Sequence, residues 1–386
     1  MAWSRRIESR LMVRKPEDGG GEPRREAAPH PRRRPTIQDL ARAAGISPST
    51  ASRALSGNGY VASEVRARVL AAAEQIGYVP DGNARALRNR TSRAVGVLIS
   101  DIRNPFYANL AAGIEEQLRA AGYHVIVVNN GGQAEAEVEG ARTFLAVRVS
   151  AAIVTPVSGR AVRMLMDDGV TVVQADRMVD GLTSDGVLVD NVQGSQEITS
   201  HLIDLGHTTI ALLIDETDWT TGAGRLAGYR AALRAARLPM DPALVVPTRF
   251  QPDAARDAVN ALLDRRPDVT ALFAANNMLA EGAFQALQGR GLRLPDDLSL
   301  VAFDDVPWMS MVSPGITTVD QHTDDLGRTC AQLVIDRLSG SAPTLATVRY
   351  IEPSLVIRGS TAAPHGVRTH AAGAGSRPVT TAPSPG

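Results

Sequence analysis

Cysteine is almost missing from this chain. Cys330 is the only one in 386 residues, which excludes an internal disulfide and fits a reducing cytoplasm. Lysine is as scarce: Lys15 stands alone, so nearly all the basic charge is arginine, a pattern we read as coding bias rather than function. No apolar run is long enough to cross a bilayer, and the N-terminus lacks the apolar stretch of an export signal. Catalytic signatures are missing too. There is no P-loop, no HExxH and no glycine-rich dinucleotide fingerprint after Val95–Ser100; Gly222 and Gly224 alone are too sparse a signal. Cys330 falls within a predicted helix, a poor place for a nucleophile. His207, behind Leu205-Gly206, is expected to cap a helix rather than catalyse. No enzyme, metal site or cofactor is expected. What remains is a chain long enough for two or three domains, 44% hydrophobic and of zero net charge.

That neutrality hides an imbalance. From Arg32 to Arg93 there are eleven arginines against four acids, the cationic concentration that phosphate binding requires. Within it, Thr36 is an N-cap with Asp39 placed for a reciprocal cap. Ile37, Leu40, Ala41 and Ala44 share one face, and Gly45 ends the helix. Ser47 caps a second helix, with Pro48 at its first position. Ala51 and Leu55 are expected to point inward, and Gly57 to stop it. This is a helix-turn-helix, in which the start of the second helix meets base edges. Pro48, Ser49 and Arg53 are the candidate readers, Arg53 by bidentate contact. Thr36, Thr50 and Ser52 are candidates for phosphates. A helical hairpin that docks protein remains the bland alternative.

Ser63 is expected to cap a third helix, with Val65, Val69, Ala73 and Ile76 as its core stripe and Gly77 at its end. Tyr78-Val-Pro80 then reads as an extended connector. Asn83, Ala84, Leu87 and Arg88 lie on a segment too short to be a helix alone; it should order when paired or laid on DNA. Leu87 between arginines suits a wedge at a minor-groove base step, the alternative being packing on the next domain.

From Ala94 onward short apolar runs alternate with amphipathic helices. Val95–Ser100, Tyr123–Asn129, Ala151–Thr155 and Val170–Ala175 read as buried parallel strands, with helices beginning near Phe106, Ala134 and Ala161. The pattern resets near Asn191, with strands at Ile210–Ile214, Leu244–Val246, Thr270–Ala274 and Leu298–Phe303. Two doubly wound lobes result, and such sheets bind ligands at the carboxyl ends of their strands. Polar and aromatic residues gather there. Asp101, Asn104 and Phe106 follow the first strand and Asp176 the fourth. Arg225 is placed on a loop entering a helix, Asn276 and Asp304 end strands, and Phe250 offers a flat wall. The set suits a polyhydroxylated ligand. Each residue also has a plainer role: Asp304 beside Asp305 as a turn cap, Phe250 as core, Asp176-Arg177 as an ion pair between lobes or subunits.

The ordered motifs Thr36-Ile-Gln-Asp-Leu-Ala, Ser49-Thr-Ala-Ser-Arg-Ala-Leu, Gly77-Tyr-Val-Pro, Ala84-Arg-Ala-Leu, Asn104-Pro-Phe, Ala175-Asp-Arg, Gly224-Arg-Leu-Ala-Gly-Tyr-Arg, Phe303-Asp-Asp and Ser354-Leu-Val-Ile-Arg-Gly-Ser resemble the lactose/galactose repressor (LacI/GalR) family from Pro35 to Ser360. The resemblance implies an all-α helix-turn-helix head joined to an α/β periplasmic-binding-protein-like two-lobed effector domain. The expected layout is a disordered basic arm at 1–34 (or a start codon assigned too early), the head at 35–80 and a hinge helix and linker at 81–93. An effector-binding and dimerisation domain follows at 94–360, then a disordered tail at 361–386. Three crossovers, near Asn191, Gln321 and Pro353, would put 94–190 and 322–352 in lobe 1 and 191–321 and 353–360 in lobe 2. Helix Thr323–Leu338 would return to lobe 1.

The resemblance also places Phe250, Arg225, Asn276 and Asp304 at positions that contact the effector. It implies a cytoplasmic homodimeric repressor that binds a pseudo-palindromic DNA operator and is switched by a small sugar or sugar derivative. Asn277 departs from the acid many relatives carry there. The stretch Thr221-Gly-Ala-Gly-Arg225 also resembles the purine and nucleoside branch, which keeps a nucleobase ligand open. A periplasmic-type sugar-binding protein is the competing class, and it has no use for Thr36–Leu87. The tail lacks heptads, so a dimer is expected rather than a tetramer.

Overall fold

The computed structural model describes residues 33, 35–56, 60–78, 92–215, 217 and 219–364. They fall in two compact units that divide between Arg85 and Ala86. The hinge residues Asn83, Ala84, Leu87 and Arg88, the Gly57 helix stop, and the terminal segments 1–32 and 365–386 lie outside the described residues.

The first unit is three helices: α1 (Ile37–Ala44), α2 (Pro48–Ser56) and α3 (Ser63–Ile76). The expected capping box closes α1. Asp39 N–H donates to Thr36 Oγ1 at 3.3 Å, and Thr36 N–H donates to the Asp39 carboxylate at 2.9 Å. Gly45, at φ +65°, ends the helix in the left-handed conformation. Ser47 Oγ accepts from Thr50 N–H at 3.2 Å and so opens α2. The core is Leu40, Ala41, Ala44, Ala51, Ala54, Val69, Ala72 and Ala73, all buried. Ala51 and Leu55 turn to this core as expected, with Ala54 buried beside them. One expectation needs correction. Ser63 is the first residue of α3, whose cap is Ala62 with no side-chain bond. In place of a cap, Arg66 Nε reaches back to the Ala54 carbonyl at 3.1 Å and ties α3 to the end of α2.

The second unit winds as β1 (Ala94–Ile99), α4 (Pro105–Ala120), β2 (His124–Asn129), α5 (Ala134–Val147), β3 (Ala151–Val154), α6 (Gly159–Asp167), β4 (Thr171–Asp176) and β5 (Asp185–Val189). The chain then crosses into a second lobe: α7 (Asn191–Asp204), β6 (Ile210–Ile214), α8 (Thr220–Ala235), β7 (Val245–Pro247), α9 (Pro252–Arg265), β8 (Ala271–Ala274), α10 (Asn277–Gly289), β9 (Ser299–Phe303), α11 (Pro307–Met311) and β10 (Thr317–Asp320). It returns through α12 (Thr323–Ser339) to β11 (Val348–Ile351) and leaves again through β12 (Ser354–Val356). One sheet has the order β11-β5-β4-β3-β1-β2 and is wholly parallel. The other has the matching order β12-β10-β9-β8-β6-β7, with β12 antiparallel to β10.

The strands read as unbroken apolar runs because helices cover both faces of each sheet. In β1, Val95, Val97 and Ile99 enter one core while Leu98 enters the other. In β9, Leu300 and Ala302 face one core, Val301 and Phe303 the opposite one. Three helix pairs approach closely enough to require glycine; a Cβ on Gly282 of α10 would meet the Pro252 carbonyl of α9 at 2.1 Å. A Cβ on Gly228 of α8 would meet the Val192 carbonyl of α7 at 2.3 Å, and one on Gly327 of α12 would meet the Leu110 carbonyl of α4 at 2.5 Å.

His207 does not cap a helix with its side chain. It is buried, with Nδ1 2.8 Å from Thr270 Oγ1 and Nε2 3.0 Å from Ser299 Oγ and 2.9 Å from the Ala362 carbonyl. Ser360, fully buried, donates to the Leu300 carbonyl at 2.5 Å. Residues 361–364 are therefore an ordered extension of the second lobe rather than the start of a disordered tail.

Candidate DNA-reading helix and ligand cleft

On the head, Pro48, Ser49 and Arg53 are exposed, while Thr36, Thr50 and Ser52 are half-buried. Ser47 Oγ lies 2.9 Å from Ser49 Oγ and 2.8 Å from Thr50 Oγ1, a small hydroxyl cluster at the start of α2. Arg53 Nε rests 3.4 Å from the Ser49 carbonyl, so its guanidinium lies back along the same turn. One face of α2 therefore carries a cation, hydroxyls and a proline ring, and the opposite face carries the buried alanines.

The carboxyl ends of the two sheets face each other across a cleft of about 1450 Å³. All eight effector candidates line it: Asp101, Asn104, Phe106, Asp176, Arg225, Phe250, Asn276 and Asp304. Several do structural work as well. Asn104 and Asn276 cap α4 and α10 through their side chains. Phe106 is mostly core, packed edge-on against Tyr107 with ring centroids 5.1 Å apart. Arg225 lies inside α8 rather than on a loop before it. Its Nε donates to Asn191 Oδ1 at 2.8 Å, its Nη1 to the Ala275 carbonyl at 2.5 Å, and its plane covers Phe303 at 4.0 Å.

Asp176 and Asp304 occupy equivalent places, at the ends of β4 and β9, the third strands of the two matching sheets. Both are non-glycine residues at positive φ, +70° and +74°, a conformation that aspartate tolerates better than most residues and that concentrates at functional sites. Burial pushes the Asp176 carboxyl up, against the pull of Arg177. Asp101, in contrast, is held below the usual carboxylate range by hydrogen bonds from Arg103. Asp304 accepts from Asn277 N–H at 2.8 Å and Asn277 Nδ2 at 2.7 Å, and also from Gln321 Nε2.

Among the described residues, and apart from the crossovers, three direct contacts bridge the lobes. Asn277 Nδ2 donates to Asn104 Oδ1 at 3.0 Å, Met178 N–H donates to Thr220 Oγ1 at 3.4 Å, and the Arg177 guanidinium sits 3.9 Å over the Trp219 ring. Arg177 also donates through Nη2 to Ser100 Oγ at 3.1 Å and to the Tyr107 hydroxyl at 2.5 Å. The ion pair expected of Asp176-Arg177 forms within one lobe, at 3.6 Å, and the interlobe role falls to Arg177 and Trp219. Sequence reasoning did not place Tyr107, Arg177 or Gln321 among the cleft groups, nor Asn191 behind Arg225. Tyr107 follows Phe106 directly and Gln321 follows β10, so strand ends and neighbours of the chosen residues carried the available signal.

Residues 36–81 match the family of bacterial regulatory proteins described as the lacI family, and residues 199–361 match a periplasmic binding protein-like domain. The ribose operon repressor of Escherichia coli (strain K12) is 32% identical over 330 residues, covering 84% of this chain and 99% of that protein. A solved complex of the transcriptional regulator CelR with cellobiose aligns with a TM-score of 0.65 and 29% identity, covering 85% of this chain and 100% of that one. The lac repressor dimer bound to operator and the anti-inducer ONPF aligns with a TM-score of 0.75 and 25% identity, covering 86% and 100%.

Proposed function

We propose, from the premise that this chain belongs to the LacI family of bacterial regulatory proteins, that it is a dimeric transcriptional repressor of carbohydrate-utilisation genes, acts in the cytoplasm, and has no catalytic role. Two heads read the half-sites of a pseudo-palindromic operator. Pro48, Ser49 and Arg53 face base edges, and Thr36, Thr50 and Ser52 hold phosphates. Asn83, Ala84, Leu87 and Arg88 belong to a hinge segment that pairs with its copy in the central minor groove, where Leu87 unstacks a base step. A sugar in the cleft between the lobes changes how well the two hinges pair. Only a difference in its affinity for the two states drives that change, and coupling of about 1–3 kcal/mol is typical. The names of relatives support a sugar: a ribose operon repressor and a regulator complexed with cellobiose.

One observation carries the reading. A single chain joins a helix with an exposed Arg53, Ser49 and Pro48 to a two-lobed cleft lined by carboxylates, amides and an aromatic wall. Selection of bound fragments from a random duplex pool should enrich an inverted repeat; no preference over random duplex would defeat the proposal. Leu87→Ala should weaken operator binding at least tenfold while changing non-specific binding little, measured by fluorescence anisotropy. Equal losses on both would remove the wedge.

A further inference from the structure

A second groove, of about 980 Å³, shares no residue with the cleft. Helix α7 lines it along its whole length, from Val192 through Glu197 to Asp204, and Tyr350 of β11 and Leu355 of β12 complete it. β11 belongs to the sheet of the first lobe and β12 to that of the second. Whatever fills this groove therefore touches both lobes, beside the crossovers that lead into α7 and into β12.

The groove combines exposed apolar surface with unneutralised acid. Tyr350 is 66% exposed and Val192 42%, and large apolar groups gathered at one exposed place mark a surface that something covers. Asp190, Glu197 and Asp204 also line it, and none forms an ion pair among the described residues. Asp190 accepts from Gln193 N–H and Glu197 from the Gln193 side chain. Burial lowers the pKa of the neighbouring His201, so it brings no positive charge at neutral pH. Asp204 ends α7, where the helix dipole also favours a cation.

The chain leaves the described residues beside this groove. Thr361 Oγ1 lies 3.0 Å from His201 Nε2, and Pro364 lies 3.7 Å from where a Cβ on Gly206 would be. The residues that follow, 365–386, include Arg368, Arg377 and two histidines and no acid. α7 has 14 residues, a length of about 21 Å, which about seven extended residues cover. A chain running from Pro364 back along α7 puts Arg368 near the middle of the helix, where Glu197 stands. Surface charge pairs are weak singly, but a short tether holds its segment at about millimolar effective concentration. A contact with an intrinsic dissociation constant of about 0.1 mM is then filled roughly nine-tenths of the time.

We infer that residues 365–386 fold back into this groove, set Arg368 and Arg377 among its carboxylates, cover Tyr350, and so tie the first lobe to the second from outside the cleft. The test is nitration of the full chain by tetranitromethane, followed by peptide mass mapping. Tyr60, 95% exposed on the head, is the internal standard. Tyr350 should react about tenfold more slowly, relative to Tyr60, in the parent than in Arg368→Glu/Arg377→Glu. That variant changes no described residue, so loss of protection cannot come from damaged packing. Adding Glu197→Lys/Asp204→Lys to it should restore protection, and high salt, which screens exposed charges, should remove it from the parent. Tyr350 equally reactive in the parent and the tail variant overturns the proposal, as does failure of the charge swap to restore protection. Tyr350 equally protected in both also overturns it and assigns the groove to another occupant. Protection that fades on dilution would then identify a second copy of the chain, and protection independent of concentration the basic segment 1–34. No DNA or sugar enters the measurement, so its failure leaves the repressor reading untouched.

Discussion

Asp304 shows how much one side chain carries here. Its carboxylate accepts from the backbone and side chain of Asn277 and from Gln321, and Asn277 in turn reaches Asn104 in the other lobe. Removing it leaves Asn277 N–H and Gln321 Nε2 without an acceptor and Asn277 Nδ2 with Asn104 alone, at about 1–3 kcal/mol for a buried unsatisfied group. Asp304→Ala should therefore lower the melting temperature of the effector domain by several degrees and abolish the effect of sugar on operator affinity. It should leave operator affinity without sugar close to the parent's. A normal sugar response in that variant would dismiss the cleft as the effector site. These long-range bonds are also where sequence reasoning ran out. The Thr36–Asp39 box was readable because both partners lie within one turn. Asn277 and Asn104 are 173 positions apart, and no spacing rule connects them.

At the scale of elements, the crossing of α7 and α8 depends on the missing side chain at Gly228. A methyl there would strike the Val192 carbonyl at 2.3 Å and the Gln196 nitrogen at 2.8 Å, and backbone cannot rotate away as a side chain can. Gly228→Ala should cost about 2 kcal/mol or more through overpacking. Gly289, near the end of α10, has nothing within 4 Å of its absent Cβ. Gly289→Ala should be neutral or stabilising by about 0.5–1 kcal/mol. Urea midpoints that move together in the two variants would refute the contrast. Most inner strands were legible because strands covered on both faces are continuously apolar, as in β1 and β9; β5 and β10, inner and buried, were not, since Asp185-Gly186 and Thr317-Thr318 break the apolar run of short strands. The edge strands β11 and β12 were not, since their residues are only half-buried or exposed and no apolar run marks them. Ser63 misled for a related reason. A serine before an apolar stripe has the composition of a cap, but the bond that secures this end of α3 comes from Arg66 to another helix.

For the whole molecule, the two-lobed architecture with a helix-turn-helix head is as expected, and a loss of stability in acid is expected from the histidines that hold residues 361 and 362. His207 joins the ends of β8 and β9 to Ala362 in the last described residues, and burial lowers its pKa from 6.5. The folded state thus binds this proton less readily than the unfolded chain. The stabilisation is complete above about pH 6.5 and is lost as the pH falls through the lower folded value. His201, lowered in the same direction by burial and bonded to Thr361, adds to the slope. Stability by chemical denaturation should decline from pH 7 to pH 5. His207→Gln should lose about 1–3 kcal/mol at pH 7.5 and decline less steeply with acid. An unchanged slope would show that these histidines do not govern it.

The late return of the chain has a bearing on biosynthesis. Each sheet takes one of its two outer strands from the last stretch, β11 for one and β12 for the other, whereas the three-helix head is complete by residue 78. During translation the head can fold first, as N-terminal domains generally do, but neither lobe can close until about residue 356 has emerged. A message cut short after position 340 would release a finished head on two unfinished lobes. Such a fragment would keep the surface aimed at DNA while lacking the intact cleft through which a metabolite gives orders.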